Sequence, residues 1–275
     1  FNIYTMGRHS IERGRTDTWT PNYRRIQAVG NELAGADGRA ATTSPDQDRA
    51  AWAALHKPEL RDPRGFIIPS SQADFPTAVK FINMLRRVGI RVERATAEFT
   101  VGGKTYAKGS FVVKTDQAFR PHVIDMFEPQ AHPDVFPYPG SAPTPPYDIA
   151  GWTLAYQMGI EFDRILDGFD GPFEAVTDWN VAPPKGAVGG ANGARGFVLN
   201  ARPNDSFIAL NRLLKANEEV YRATTPITLG TATFPRGSFY VKGKATTRAQ
   251  IEKIASDLGL SFAGTRADVP KGALR

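Results

Sequence analysis

The feature that most constrains this fold is a stretch that occurs twice. Residues 83–114 contain R-A-T-A-E-F-T-V-G-G-K-T-Y-A-K-G-S-F-V-V-K, and residues 211–242 contain R-A-T-T-P-I-T-L-G-T-A-T-F-P-R-G-S-F-Y-V-K. A constant offset of 128 aligns the two without a gap. Identities include Asn83/Asn211, Leu85/Leu213, Arg94/Arg222, Thr100/Thr228, Gly102/Gly230, Thr105/Thr233, Gly109/Gly237, Ser110/Ser238 and Lys114/Lys242. The copies also open alike, at Arg64-Gly65-Phe66 and Arg195-Gly196-Phe197, with the second shorter by three residues. Self-similarity of this kind reads as an internal duplication.

Each copy carries the signals of a short buried strand, a helix, a strand, a tight hairpin, a further strand and a closing helix. In the first copy these are Phe66-Ile67-Ile68, a helix over 74–88 capped by Asp74 with Ala78, Phe81, Ile82 and Leu85 inward, a strand from Ile90, a hairpin around Gly102-Gly103, a strand at 109–113 and a helix over 117–127. A right-handed β-α-β crossover is expected to make the first two strands parallel neighbours. The fold class is therefore α/β, with two duplicated β-α-β-hairpin-α units and a helical N-terminal lead-in. Domain boundaries are expected at 1–62 for the lead-in, 63–165 for the first unit, 166–194 for a connector and 195–275 for the second unit and tail.

Within the lead-in, Ile3, Tyr4, Met6, Ser10 and Ile11 make one stripe on a first helix. Two further helices are expected from about Asn22 and Ser44, with a loop between Gly35 and Pro45, and with Trp52 and Leu55 on one side of the third. Seven prolines between Pro129 and Pro146 predict an extended covering segment, packed down by Phe136, Tyr138 and Tyr147. A helix follows over 149–158, then a strand at 160–162. The Gly-rich stretch 186–196 reads as the most flexible part of the chain, a run of turns.

Composition limits the chemistry. The 275 residues contain no cysteine, which rules out disulfides, thiolate metal sites and cysteine nucleophiles within this chain. No run of about 18 apolar residues exists to span a membrane. The net charge of +6 comes from scattered Lys and Arg, a solvated basic surface rather than a nucleic-acid footprint. A chain starting at Phe1 is expected to be a processed form or a piece of something longer.

Candidate sites are few. His56-x-x-Glu59 has the spacing of two zinc ligands, but Pro58 lies between them and no third ligand is fixed near them. Asp167, Asp170 and Glu174 lack a calcium-loop pattern. Arg120-Pro-His122-x-x-Asp125 combines a cation, an imidazole and a carboxylate within two turns, and reads either as a ligand site at a sheet edge or as an ion pair and helix cap. Arg120 matches Arg248 in the second copy, which favours a structural role. With Tyr147 and Trp152, these three form the candidate ligand-binding set, in a cleft between the repeats.

Six segments carry a resemblance. They are residues 4–14 (YTMGRHSIERG), 17–20 (DTWT), 63–69 (PRGFIIP), 119–130 (FRPHVIDMFEPQ), 146–159 (PYDIAGWTLAYQMG) and 166–173 (LDGFDGPF). Together they resemble the region after the catalytic domain in large bacterial proteins of the zinc carboxypeptidase (carboxypeptidase A-like) family, over most of the chain up to about Phe262. The resemblance implies an exported, periplasmic or extracellular metallopeptidase, a hydrolase with zinc in a catalytic domain elsewhere on the polypeptide. It also implies that residues 1–62 include the end of that domain and its linker. No segment here matches the family's zinc ligands or catalytic glutamate, so no catalytic or metal residue is assigned and no cofactor is expected in this chain.

The expected function is thus a non-catalytic accessory region that positions the peptidase domain or assists peptide binding. Its partners are that domain and a peptide substrate, with no nucleic acid and no membrane span. An independent module binding a peptide, glycan or cell-wall fragment is the alternative. An amidotransferase-like enzyme ranks last, because the usual nucleophile for that chemistry is cysteine.

Overall fold

The structure, a computed structural model, describes residues 1–34, 44–130, 132–147, 151–190, 193–268, 270 and 272–274. The expected loop over 35–45 and the start of the helix expected at 149 fall largely outside these. The chain forms two compact units, residues 1–70 with 85–177, and residues 71–84 with 178–275.

Unit 1 begins with helices α1 (Asn2–Arg15), α2 (Tyr23–Ala34) and α3 (Pro45–Leu55), followed by strand β1 (Gly65–Ile68). Helix α4 (Phe75–Arg87) leads to β2 (Glu93–Ala95), the hairpin β3 (Phe99–Val101) and β4 (Lys104–Tyr106), and β5 (Phe111–Lys114). Helices α5 (Arg120–Phe127) and α6 (Leu154–Gln157) precede β6 (Asp163–Ile165) and β7 (Phe173–Ala175). Asp74 caps α4 as expected, accepting from Thr77 N at 3.2 Å, and Ala78, Phe81, Ile82 and Leu85 are all fully buried. Residues of α4 up to Met84 belong with unit 2, where Lys80 pairs with Asp205 and Asn83 bonds both backbone groups of Val181.

The first sheet has the order β6-β1-β5-β2-β7, antiparallel throughout. Here β1 and β2 are not neighbours, contrary to the crossover expectation, because β5 lies between them. The β3–β4 hairpin returns the chain alongside β2, and an antiparallel partner needs only a short connection. Leaving out the edge strand β7, the order is the 4-1-3-2 of a split β-α-β, ferredoxin-like sheet. The four residues of β1 are buried on both faces. On one face Phe66 stacks on Phe127 at 4.2 Å. On the other, Ile67 and Val112 pack under Phe99, Val101 and Tyr106 of the hairpin.

Unit 2 continues with β8 (Val188–Gly189), β9 (Gly196–Leu199), α7 (Asp205–Lys215), β10 (Val220–Arg222), the hairpin β11 (Ile227–Leu229) and β12 (Ala232–Phe234), β13 (Phe239–Lys242), α8 (Thr247–Leu258) and β14 (Phe262–Thr265). Its sheet order is β10-β13-β9-β14-β8. Register repeats as well as order. Gly65 faces Lys114 and Ile68 faces Phe111, just as Gly196 faces Lys242 and Leu199 faces Phe239.

The identities shared by the two stretches have local physical reasons. Gly102 and Gly230 have φ of 58° and 59°, and Gly109 and Gly237 have φ of 89° and 93°, where a side chain is strained. Thr100 and Thr105 join their hydroxyls across one hairpin at 3.1 Å, and Thr228 and Thr233 across the other at 3.5 Å. Ser110 and Ser238 are both fully buried.

The copies diverge between the last helix and the last strand. Gly259-Leu-Ser-Phe262 enters β14, and Gly159-Ile-Glu-Phe162 enters β6 at an offset of 100. The offset drops from 128 to 100, so about 28 extra residues split the first copy's helix into α5 and α6. Ala155 and Ala255 stay buried in both.

Several sequence expectations are corrected. Phe136, Tyr138 and Tyr147 do not pack down, being 55%, 67% and 98% exposed; the segment is instead held by a bridge between Val135 and Thr144. In α1 the side chains of Ile3, Tyr4 and Met6 are exposed, and the packed face centres on Gly14, where a Cβ would lie 2.3 Å from Thr115 O. A backbone approach that close needs glycine, so small residues rather than large apolar ones define this interface. Trp52 is also exposed and stacks on His56 at 3.9 Å. The strand expected at 160–162 is shifted to 163–165, and the helix before it shortens to α6. The connector supplies β7 and β8, so the described part of its Gly-rich stretch is not merely turns.

Gly186 lies where a Cβ would sit 1.9 Å from Leu260 O. Gly186→Ala is expected to push this strand off β14 and cost about 1–3 kcal/mol, read as a lower denaturant midpoint.

Candidate functional site

In unit 1 a cleft of about 740 Å³ runs along β6. Phe162, Asp163 and Arg164 form one side, Glu128 and Pro129 close the end of α5, and Tyr156 projects from α6. Asn22 and Arg25 at the start of α2 and Glu59 in the turn Pro58–Leu60 form the far wall. Local sequence fixes these positions. The Asn22 side chain accepts from Arg25 N at 3.0 Å, capping α2, and Gly159 at φ 67° ends α6 and turns the chain into Ile160 and β6. Rings lead inward from the cleft: Tyr156 meets Phe162 edge-on at 5.4 Å, and Phe162 meets Phe127 and Phe66.

Most charges here are already paired. Arg164 Nε contacts Glu128 Oε1 at 2.8 Å, and its Nη2 donates to Arg61 O at 2.5 Å. Lys104 Nζ contacts Asp163 Oδ2 at 2.6 Å and lies 5.4 Å from the centre of the Tyr106 ring. Burial, and secondarily the Asp163 carboxylate, holds the Tyr106 phenol well above the usual tyrosine range, so it stays protonated. Among the described residues no histidine, serine or cysteine lines the cleft. Glu128 and Asp163 are thus committed to cations beside an aromatic wall and a strand edge.

The five residues singled out from sequence do not gather into one site. Arg120 turns inward and is 5% exposed, its Nη2 donating to Asp62 Oδ2 at 2.8 Å and to Thr18 Oγ1 at 3.2 Å. It serves as the ion pair that the second reading of the cluster expected. Its sequence match Arg248 has an exposed pair with Glu252 instead, so the match does not carry the role across. His122 lies one turn before Asp125 on α5, half-buried. Desolvation raises the Asp125 carboxyl, against the opposing effects of Gln130, whose Nε2 donates at 3.2 Å, and of His122. Trp152 lies beside His132 with ring centres 6.3 Å apart, and Tyr147 stands in solvent.

Other motifs also resolve individually. His56 rests against Trp52 and its Nδ1 donates to Trp52 O, 2.8 Å away, while Glu59 faces the cleft. Asp167, Asp170 and Glu174 each have their own cation: Arg61 at 2.9 Å, Lys114 at 2.5 Å and Arg94 at 3.0 Å. The Lys114 ammonium holds the Asp170 carboxyl below the usual range. Among the described residues no group of three His, Cys, Asp or Glu side chains is placed to hold a metal.

Sequence reasoning did not single out Asp62. Asp62 is 8% exposed and collects Thr18 Oγ1 at 3.1 Å, Thr20 Oγ1 at 2.8 Å, Thr20 N at 2.9 Å and Arg120. It missed the cleft too, although the Gly-x-x-Phe match at an offset of 100 marks where β6 begins and where the extra residues sit.

Removing one partner of a buried ion pair strands the other charge, so Asp62→Ala is expected to cost about 3–5 kcal/mol in chemical unfolding. Asp125 gives a pH test. Its folded pKa is raised, so burial opposes only the charged form. The wild type should match Asp125→Asn most closely at acid pH and lose stability relative to it as pH rises through the ordinary carboxylate value of about 4. Unfolding midpoints of both proteins across that range check the sign.

Compared with protein-family models, with curated proteins and with solved structures, the chain gives no match.

Proposed function

We propose that this chain is a non-catalytic accessory region of an exported bacterial zinc carboxypeptidase-like polypeptide, which positions the peptidase domain or helps to hold its peptide substrate. Zinc belongs to the catalytic domain in this reading, and the setting is periplasmic or extracellular. One observation carries it: five of the six segments that resemble that subgroup contribute to either the Asp62 cluster or the cleft. Thr18 and Thr20 bond Asp62, Arg120 completes the pair, and Arg13 reaches Thr20 Oγ1 at 3.3 Å. Pro69, Glu128, Pro129 and Tyr156 line the cleft, and Asp167 holds Arg61. Residues that lock a surface together and line a polar groove fit a docking or holding role. The chain has no cysteine, the usual nucleophile for amidotransferase chemistry, which ranks an amidotransferase-like activity last.

An independent peptide or glycan module is the second reading, favoured by the size and mixed polarity of the cleft. Metal content and carboxypeptidase activity, measured on this chain and on a longer polypeptide containing it, separate the readings. Stoichiometric zinc and activity are expected in the longer polypeptide alone. Stoichiometric zinc in this chain by itself would overturn the accessory role.

A further inference from the structure

Strands β6 and β14 hold the same place in their sheets, and their outer edges differ. Each follows a Gly-x-x-Phe turn, and each pairs with the first strand in the same register, Ile165 opposite Gly65 and Thr265 opposite Gly196. The outer edge of β14 carries β8, an extended segment running parallel to it, with Val188 opposite Phe262 and Gly189 opposite Ala263. There the Phe262 amide points outward and donates to Ala187 O at 2.8 Å. The outer edge of β6 carries no strand among the described residues, and the 740 Å³ cleft lies along it.

The first copy keeps the parts of a strand-accepting edge. By equivalence with Phe262, and by the two-residue period of a strand, the amides of Phe162 and Arg164 face outward. Phe162 N has no backbone partner among the described residues. The side chains that flank this edge are drawn aside, Arg164 to Glu128 and Arg61 O, and Asp163 to Lys104. The opposite edge of the same sheet, at β2, is already taken by β7, and in unit 2 the bridge from Arg222 to Leu274 takes the matching position on β10.

We propose that the outer edge of β6 binds an extended peptide, added as a further strand parallel to β6, as β8 is to β14. Main-chain bonds to Phe162 and Arg164 supply the attachment, and alternate peptide side chains enter the cleft against Tyr156 and Phe162. The inference rests on the substrate-holding reading in taking the ligand to be a peptide. A glycan has no ladder of amides to offer this edge.

The test uses the full chain and a positional-scanning library of fluorescein-labelled hexapeptides, read by anisotropy. The best binder is then resynthesised with N-methyl groups at alternate residues, once in each register. Methylation in the register facing β6 is expected to weaken binding about tenfold or more, and in the opposite register no more than about twofold. Bound peptide should slow amide exchange of Phe162 and Arg164 by about tenfold or more. Tyr156→Ala should weaken binding, with Tyr147→Ala unchanged as the control.

No binding by any library member overturns the proposal. So does equal tolerance of methylation in both registers, or protection confined to residues away from β6. If peptide binds as expected but Tyr156→Ala leaves the peptidase kinetics of the longer polypeptide unaltered, the edge site stands and the substrate-holding reading fails.

Discussion

The architecture of unit 1 depends on a buried carboxylate. Asp62 gathers two threonine hydroxyls, a backbone amide and one arginine, which ties the segment after α1, the entry to β1 and the start of α5 to one point. Such a cluster is costly to assemble unless every bond is made, because the charges leave water. Here four donors surround one carboxylate, and only Arg120 Nε among the described atoms of the pair stays buried without a partner. The helices before β1 add little apolar burial, with Ile3, Tyr4, Met6 and Trp52 exposed. Polar bonds, not a hydrophobic seam, join the lead-in to the sheet.

The second organising constraint is the shared sheet plan and its edges. An edge strand exposes unpaired amides, and folded chains cover or exploit them. Unit 2 covers one edge with β8, where Gly186 and Gly190 admit a close approach that side chains would block. Unit 1 covers the β7 side and leaves β6 beside a cleft. Between α5 and β6 the chain is longer than between α8 and β14, and Glu128, Pro129 and Tyr156 from this stretch lie along β6, which has no strand like β8 on its outer edge among the described residues. A plan used twice therefore gives one closed edge and one open groove.

Much of the local structure was legible because its causes are local. The α4 cap at Asp74, the buried run Phe66-Ile67-Ile68, and the glycines at positive φ in the hairpins follow from residue chemistry over a few positions. The strand order was not legible, because β5 pairs between β1 and β2 through contacts distant in sequence. Nor was the face of α1, where close backbone approach at Gly14 outweighs the apolar stripe. On α5 the sequence did not show that Arg120 turns inward to Asp62 while Asp125 stays beside His122 and Gln130, because those directions are set by packing against the lead-in.

By itself the sequence determined that there are two related α/β stretches, where their hairpins and helix caps fall, and that cysteine chemistry is excluded. Those properties are written in periodicity, in glycine and proline positions, and in composition. Tertiary structure alone decided that Asp62 meets Arg120, that the strands run antiparallel in a 4-1-3-2 order, and that the edge of β6 faces a cleft. Each of these depends on pairings across tens of residues, and burial and hydrogen-bond satisfaction select such pairings only once the sheet has closed.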